Sequence, residues 1–290
     1  MIYVITGPTN TGKDRVAIDL AKRLGGEIIN ADAFHVYKQL LIGTNKPKED
    51  DFQGVKHHLF GFIDVSESYS IARYQIEARA IIDDLLARNI PVIFLGGSGL
   101  YIRAALYDYR FQEEKEIDLS KYDNLSNEEL YRELQTVDIE SSRQIHPNNR
   151  KRVLRALKIF MTQGIKKSDI PIVSNNLPIY DVRFYGVEFD RENLYLRISK
   201  RVERMVSEGL FEEVKALIKQ YGLKQQAFSA IGYKEVIAFY EGKLTQEEAI
   251  KTIVTNTRHY VKRQMTFVRH QFPMKWIKNA DEILQEENNG

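Results

Sequence analysis

The chain has 290 residues, 43% of them hydrophobic and 28% charged, with a formal net charge of +2. That is enough chain for one large core or two modest ones, and too little net charge for a globally basic protein, so any nucleic-acid surface must be a local patch. There is no cysteine, which excludes disulfides, thiolate zinc sites and a cysteine nucleophile. No apolar run approaches the ~20 residues that span a bilayer, and no basic leader precedes the first apolar segment. The expectation is a cytoplasmic protein with no membrane partner.

In chain order, Met1–Thr6 (MIYVIT) is apolar and β-branched and predicts a buried strand. It runs into Gly7, Pro8, Thr9, Asn10, Thr11, Gly12, Lys13 and Asp14. This is G-x-x-x-x-G-K, a phosphate cradle lacking only its final Ser or Thr. Successive backbone N–H groups and a helix N-terminus face an anion there, and Lys13 adds a point charge. Val16, Leu20 and Leu24 mark the amphipathic helix that follows. Glu27–Asn30 (EIIN) and Pro91–Leu95 (PVIFL) read as further strands, with a helix from Ile71 to Leu86 between them. Strands alternating with helices imply a parallel sheet, with ligands at the strands' carboxyl ends. Three loops leave those ends: Gly7–Lys13, Ala31–Tyr37 and Gly96–Tyr101.

The middle differs. Phe111–Lys121 is charged and reads as a linker. Ser126 to Glu129 is a capping box opening a helix to about Thr136. A second helix starts after Pro147 and runs to about Thr162, and Gly164–Pro178 reads as a loop. The sheet resumes at Tyr180–Phe189. Helices are expected over Glu192–Tyr221, Ser229–Glu241 and, after a capping box at Thr245 and Glu248, to Val268.

Several residues could carry chemistry. Asp32, just past the second strand, is either a base or Mg²⁺ ligand or an N-cap. Gly96-Gly97-Ser98-Gly99 is either a close approach to a ligand, with Ser98 offering a hydroxyl, or a tight turn. Two runs are basic and free of acids: Arg143–Lys158, containing Lys151, Arg152 and Arg155, and Thr257–His270, containing Arg263 and Arg269. Each run alone fits a solvated face; two in a near-neutral chain favour phosphate-backbone contact. Tyr260 and Phe267 could stack on unpaired bases, but core packing is the expected use of each. Arg197 and Arg201, one turn apart, either reach the phosphate crevice or pair with Glu203 or Glu208. His57-His58 lacks a third ligand of fitting spacing, so no metal role is expected.

Taken together, the segments resemble the tRNA dimethylallyltransferases (tRNA isopentenyltransferases). The matching stretches include GPTNTGK, GGEIINADAFHVYKQLLIGTNKP, IPVIFLGGSGLYIRAAL, IHPNNRKRVLRAL, RISKRVERMVSEGLFEEV and TRHYVKRQMTFVR. They keep their order from the first strand to the last helix. The resemblance implies an α/β fold, a P-loop NTPase-like parallel sheet flanked by helices (1–110 and 179–290), with a smaller all-helical insertion domain (111–178) that contacts tRNA. It implies transfer of a dimethylallyl group from dimethylallyl diphosphate to N6 of the adenosine 3′ to the anticodon.

In that reading Asp32 is the base, Lys13 and Arg197 hold the diphosphate with the Gly7–Asp14 loop, and Ser98, where the family usually has Thr, orients. Mg²⁺ is the cofactor, with Asp14 a candidate ligand. The tRNA anticodon stem-loop meets Asp32, Ala33, Phe34, His35, Ser98, Lys151, Arg152, Arg155, Arg263 and Arg269. The protein would act as a monomer.

The chain departs from the family pattern at four places. Asp14 replaces the P-loop Ser/Thr, and weaker donor affinity or tighter Mg²⁺ dependence is expected. The family's D-S-x-Q reads Asp32-Ala33-Phe34-His35, so contacts around the target base change. Asn45 replaces Ala. Two other readings remain at this point: a P-loop small-molecule or nucleotide kinase, and a non-catalytic tRNA-binding homologue.

Overall fold

The computed structural model describes residues 1–109, 111, 117–170 and 173–289. The chain divides into two compact units, Met1–Tyr107 with Pro178–Gly290, and Asp108–Leu177.

The larger unit is built on a six-stranded sheet in which every pairing is parallel. Its strands are β1 (Ile2–Thr6), β2 (Glu27–Asn30), β3 (His57–His58), β4 (Val92–Leu95), β7 (Val182–Val187) and β8 (Lys275–Ile277), in the order β3-β2-β4-β1-β7-β8. Successive side chains of a strand point to opposite faces. Ile2 and Val4 therefore enter one core, with Phe94, Ile29 and the helices α2 (Ile71–Ala87) and α3 (Gly99–Leu106). Tyr3 and Ile5 enter the other, under α1 (Lys13–Leu24) and α11 (Ala280–Asn289). Both faces are covered, which is why β4 is apolar throughout and β1 up to its last residue, Thr6.

The remaining helices of this unit are α7 (Arg191–Ser207), α8 (Leu210–Tyr221), α9 (Tyr233–Tyr240) and α10 (Gln246–Gln271). The expected single helix over Glu192–Tyr221 is two, because Gly209 at φ 98 interrupts it in a left-handed conformation that a side chain disfavours. Ser229 closes a short 3₁₀ turn (Gln226–Ser229), and α9 begins only after Gly232. The capping box on α10 forms, with Thr245 accepting from the Glu248 N–H. β3, β8 and α11 were not legible locally; β3 has only two residues and β8 three.

In the smaller unit, α4 (Asn127–Val137), α5 (Ile139–Gln144) and α6 (Arg150–Gln163) pack around Leu130, Leu134, Val153 and Leu157. The helix over Asn127–Val137 is opened by the Ser126/Glu129 capping box. The Gly164–Pro178 loop is a correction: Val173–Pro178 is a strand, β6, paired with β5 (Tyr107–Tyr109). Ser, Asn and Pro have little strand propensity, so the pairing partner decides the conformation. The unit is thus helical with a two-stranded ribbon, not all-helical. Within the expected linker, 112–116 lie outside the described residues.

Candidate active site

The three loops converge. Ile5 and Asn30 both register with Leu95, so β1, β4 and β2 end level. The Ser98 N–H donates to Ala31 O at 3.0 Å, and the Ala33 N–H to Ser98 Oγ at 3.2 Å. Gly96 permits this approach: a Cβ there would lie 2.3 Å from the Ala31 carbonyl.

The first loop is shaped to hold an anion. Asn10 (φ 66) and Gly12 (φ 86) are left-handed, and Thr11 Oγ1 donates to Pro8 O at 2.9 Å, closing the turn. Gly12 lies directly before Lys13 at the start of α1, so the helix's free N–H groups and partial positive charge open where Lys13 stands. Thr9, Asn10, Gly12, Lys13 and Asp14 line a cavity of about 840 Å³. Gly7 and Pro8 are buried behind it.

Asp32 lines the same cavity. Its Oδ1 accepts the Phe34 N–H at 2.9 Å, and the His35 N–H also converges on the carboxylate. Burial pushes its pKa up, but His35, those two N–H groups and the Lys13 ammonium outweigh burial, and the carboxyl sits below the usual carboxylate range. Asp32 is therefore ionised at neutral pH. Its loop is set by Asn30, which is nearly fully buried. Asn30 Nδ2 donates to Asp32 O at 3.0 Å and Leu59 O at 2.9 Å, while its Oδ1 accepts the Asp32 N–H at 3.0 Å. Asn30 was read only as a strand end; a buried amide closing an otherwise apolar strand is the signal that could have found it. His35 bonds Thr44 O at 3.2 Å and meets Phe60 edge-on, so its ring is tied to its own loop as well as lining the cavity.

From α7, both arginines arrive. Arg197 is exposed and donates to Asn10 O at 3.3 Å. Arg201 is the inner one. Its Nη1 donates to Thr9 Oγ1 and, at 3.4 Å, to Asn10 Oδ1, and its Nη2 donates to Thr44 O at 2.9 Å. Burial brings its pKa down to about 10, against the pull of Asp32 and Asp14, so it is still a cation at neutral pH. Arg204, not Arg197 or Arg201, is the residue that meets Glu208.

From α10, Ile253, Thr257, Tyr260 and Gln264 form one stripe on the cavity wall, at the spacing of a single helix face. Tyr260 corrects an expectation: it lines the cavity rather than filling the core. Burial raises its phenol to about 12, Asp32 adding to the rise, while Ser98 and Gln264 hydrogen-bond its oxygen. It stays protonated. Gln264 was not singled out at all. Phe267 does go to the core, against Phe272, and a Cβ on Gly99 would strike its ring at 2.4 Å.

The basic residues divide. Arg263 lines the cavity, but Arg269 does not: its guanidinium lies over Trp276, 5.4 Å from the ring centroid. Ala33 packs against the core and meets Ser98 by its backbone only. In the smaller unit, Lys151, Arg152 and Arg155 are exposed on α6, while Arg150 is turned inward to the carbonyls of Tyr122 and Leu125. His58 pairs with Glu27 at 2.5 Å and His57 stacks on Phe52; among the described residues no group of three His, Asp or Glu side chains could hold a metal. Nor is any described helix long and apolar enough to cross a membrane.

An ionised carboxylate, a glycine-rich loop with the cations Lys13, Arg197 and Arg201, and a set of oriented hydroxyl and amide groups thus face one cavity. The family model for IPP transferase matches residues 35–271. A tRNA dimethylallyltransferase of Anoxybacillus flavithermus is 42% identical over 288 residues, 98% of this chain and 92% of its own length. A crystal structure of a tRNA delta(2)-isopentenylpyrophosphate transferase from Staphylococcus epidermidis covers 100% of this chain and 99% of its own, with TM-score 0.74 at 35% identity. A eukaryotic dimethylallyltransferase, solved in snapshots acting on tRNA, has TM-score 0.78 at 28% identity and covers 95% of this chain and 73% of its own.

Proposed function

The chain belongs to the IPP transferase family, and from that premise we propose that it is a tRNA dimethylallyltransferase. It moves the dimethylallyl group of dimethylallyl diphosphate to N6 of the adenosine 3′ to the anticodon and releases diphosphate. The observation that carries this reading is the shared cavity: an ionised Asp32 beside the cations of the phosphate cradle.

The chemistry follows from the parts. The C–N bond forms between adenine N6 and the allylic carbon as the carbon–oxygen bond to diphosphate breaks. The electron pair leaves with diphosphate, whose developing charge meets the loop N–H groups, Lys13, Arg197 and Arg201. The proton lost from N6 goes to Asp32. A carboxylate with a depressed pKa is a weak base, but N6 becomes strongly acidic once it bonds carbon, so a weak base suffices. Ser98 and Tyr260 offer hydroxyls at the acceptor end of the cavity. The adenosine must leave its stack to reach the site, which costs least in a loop.

Mg²⁺ suits the donor set. Magnesium is held by one or two carboxylates with phosphate oxygens and water rather than by a protein cage, and Asp14 lines the cavity beside Lys13. Asp14 would hold the ion with the donor's phosphates, and the ion would supply charge against the leaving group. Lys151, Arg152 and Arg155 would grip the RNA by its phosphates, as shape-based RNA recognition does. Acting on tRNA, the protein would work in the cytoplasm, as a monomer.

The test is one incubation of protein, Mg²⁺, dimethylallyl diphosphate and unmodified tRNA carrying adenosine at that position, followed by nucleoside mass spectrometry. Prenylated adenosine that vanishes with Asp32→Ala is the expected result. Bound tRNA without product at saturating donor would overturn the reading.

A further inference from the structure

Gln264 has a polar atom the scheme above does not use. Its side chain is 8% exposed and lines the cavity. Its Nε2 donates to Gly97 O at 2.9 Å. That bond fixes the sense of the amide, because the flipped form would set oxygen against oxygen. Oε1 is then left with no partner. A buried acceptor without a donor is costly and uncommon in folded proteins. Among the described residues two other buried side-chain atoms share this state, Thr6 Oγ1 and Arg258 Nε, and neither residue lines the cavity.

Three acceptors near Gln264 already carry a protein donor. Gly97 O takes the Gln264 amide and the Gly99 N–H. Ser98 Oγ takes the Ala33 N–H. Asp32 Oδ1 takes the Phe34 N–H. The exocyclic amine of adenine carries two N–H bonds. Alkylation sends one proton to Asp32, and the other stays on nitrogen in the product. A closed site must therefore supply a second acceptor that does not take a proton.

We propose that Gln264 Oε1 is that acceptor, which makes Gln264 a specificity-determining residue for an exocyclic amine on the target purine. The inference rests on the transferase reading. A purine bearing a carbonyl at that position would put oxygen against oxygen and be rejected. Gly97 is part of the device: a Cβ there would lie 2.2 Å from Gln264 Nε2 and displace the amide.

The experiment measures the affinity of donor-free protein for anticodon stem-loop RNAs with adenosine or purine riboside at the target position. The wild type should prefer adenosine. In Gln264→Met that preference should shrink by about fivefold to tenfold, the weight of one buried hydrogen bond, with affinity for the purine riboside RNA little changed. Gly97→Ala, which keeps Gln264 but moves its amide, should lose the same preference and serves if the methionine variant does not fold. A variant that folds and keeps the full wild-type preference overturns the assignment. With dimethylallyl diphosphate then added, a wild type that binds the adenosine RNA but does not prenylate it overturns the transferase reading instead.

Discussion

Replacing Asp32 by Asn removes a charge while keeping the side chain's shape, and the surrounding geometry sets two separate magnitudes. The Phe34 and His35 N–H groups both point at the carboxylate. An amide has one oxygen, so where the two donors meet different oxygens of the carboxylate, one of them comes to face an N–H₂ group. Leaving one buried donor unpaired costs about 1–3 kcal/mol of stability, visible as a lower thermal midpoint. Catalysis should suffer more. Loss of a positioned base typically costs about 10²–10⁴-fold, so the single-turnover rate at saturating donor should fall by that factor, while stem-loop RNA affinity changes less than about threefold, since most of that affinity comes from phosphate contacts. The wild-type pH profile follows from the sign of the shift. Because the Asp32 pKa lies below its ordinary 3.8, the base stays ionised as pH falls. The single-turnover rate should therefore show no acidic limb from this residue above about pH 5. A variant with near-wild-type turnover would refute the assignment of Asp32 as base. A wild-type limb near pH 6 that Asp32→Asn abolishes would refute the depressed pKa.

Arg201→Lys keeps the charge but loses the fork that joins Thr9 and Asn10 to Thr44 O; the donor KM should rise about tenfold or more with RNA affinity unchanged, and an unaltered KM would remove Arg201 from the diphosphate site. Asp14→Thr restores the usual P-loop hydroxyl and removes a carboxylate from the anion cradle; the donor KM should fall several-fold and the Mg²⁺ concentration for half-maximal rate should shift, whereas no change in either would sink the role given to Asp14. Asp138 caps α5 and also accepts the Ser168 N–H at 3.0 Å. Burial raises its pKa, but the hydrogen bonds from Ser141 and Ser168 prevail and bring it down to about 2. Its contribution is present above pH 4 and fades as pH falls toward 2. Asp138→Ala should cost about 1–2 kcal/mol at pH 7, and the two stability curves should converge at low pH; a constant gap would contradict the shift.

Local signals carried four of the sheet's six strands and the first half of the site. An apolar strand, G-x-x-x-x-G-K and an amphipathic helix follow each other without a gap, so the phosphate loop needs no tertiary information. Asp32 and Ser98 are legible for the same reason: each follows a short apolar strand, and parallel strands bring their carboxyl ends to one edge. The other wall of the cavity is not legible. Arg201 meets Thr9 across 192 residues of chain, and Gln264 meets Gly97 across 167. The periodicity of α10 says that Tyr260 and Gln264 share a face, but both faces of that helix carry polar and apolar residues, so only packing decides which one turns to the cavity. Arg269 shows a related limit: its charge run is visible in the sequence, but the place of its exposed guanidinium over Trp276, on a three-residue strand too short to announce itself, is not. Sequence alone thus determined the chemistry offered by the loops, because those residues act within a few positions of each other. Tertiary structure decided which distant side chains complete the cavity, and the ionisation of Asp32, because the field at a carboxylate sums over neighbours that only folding assembles.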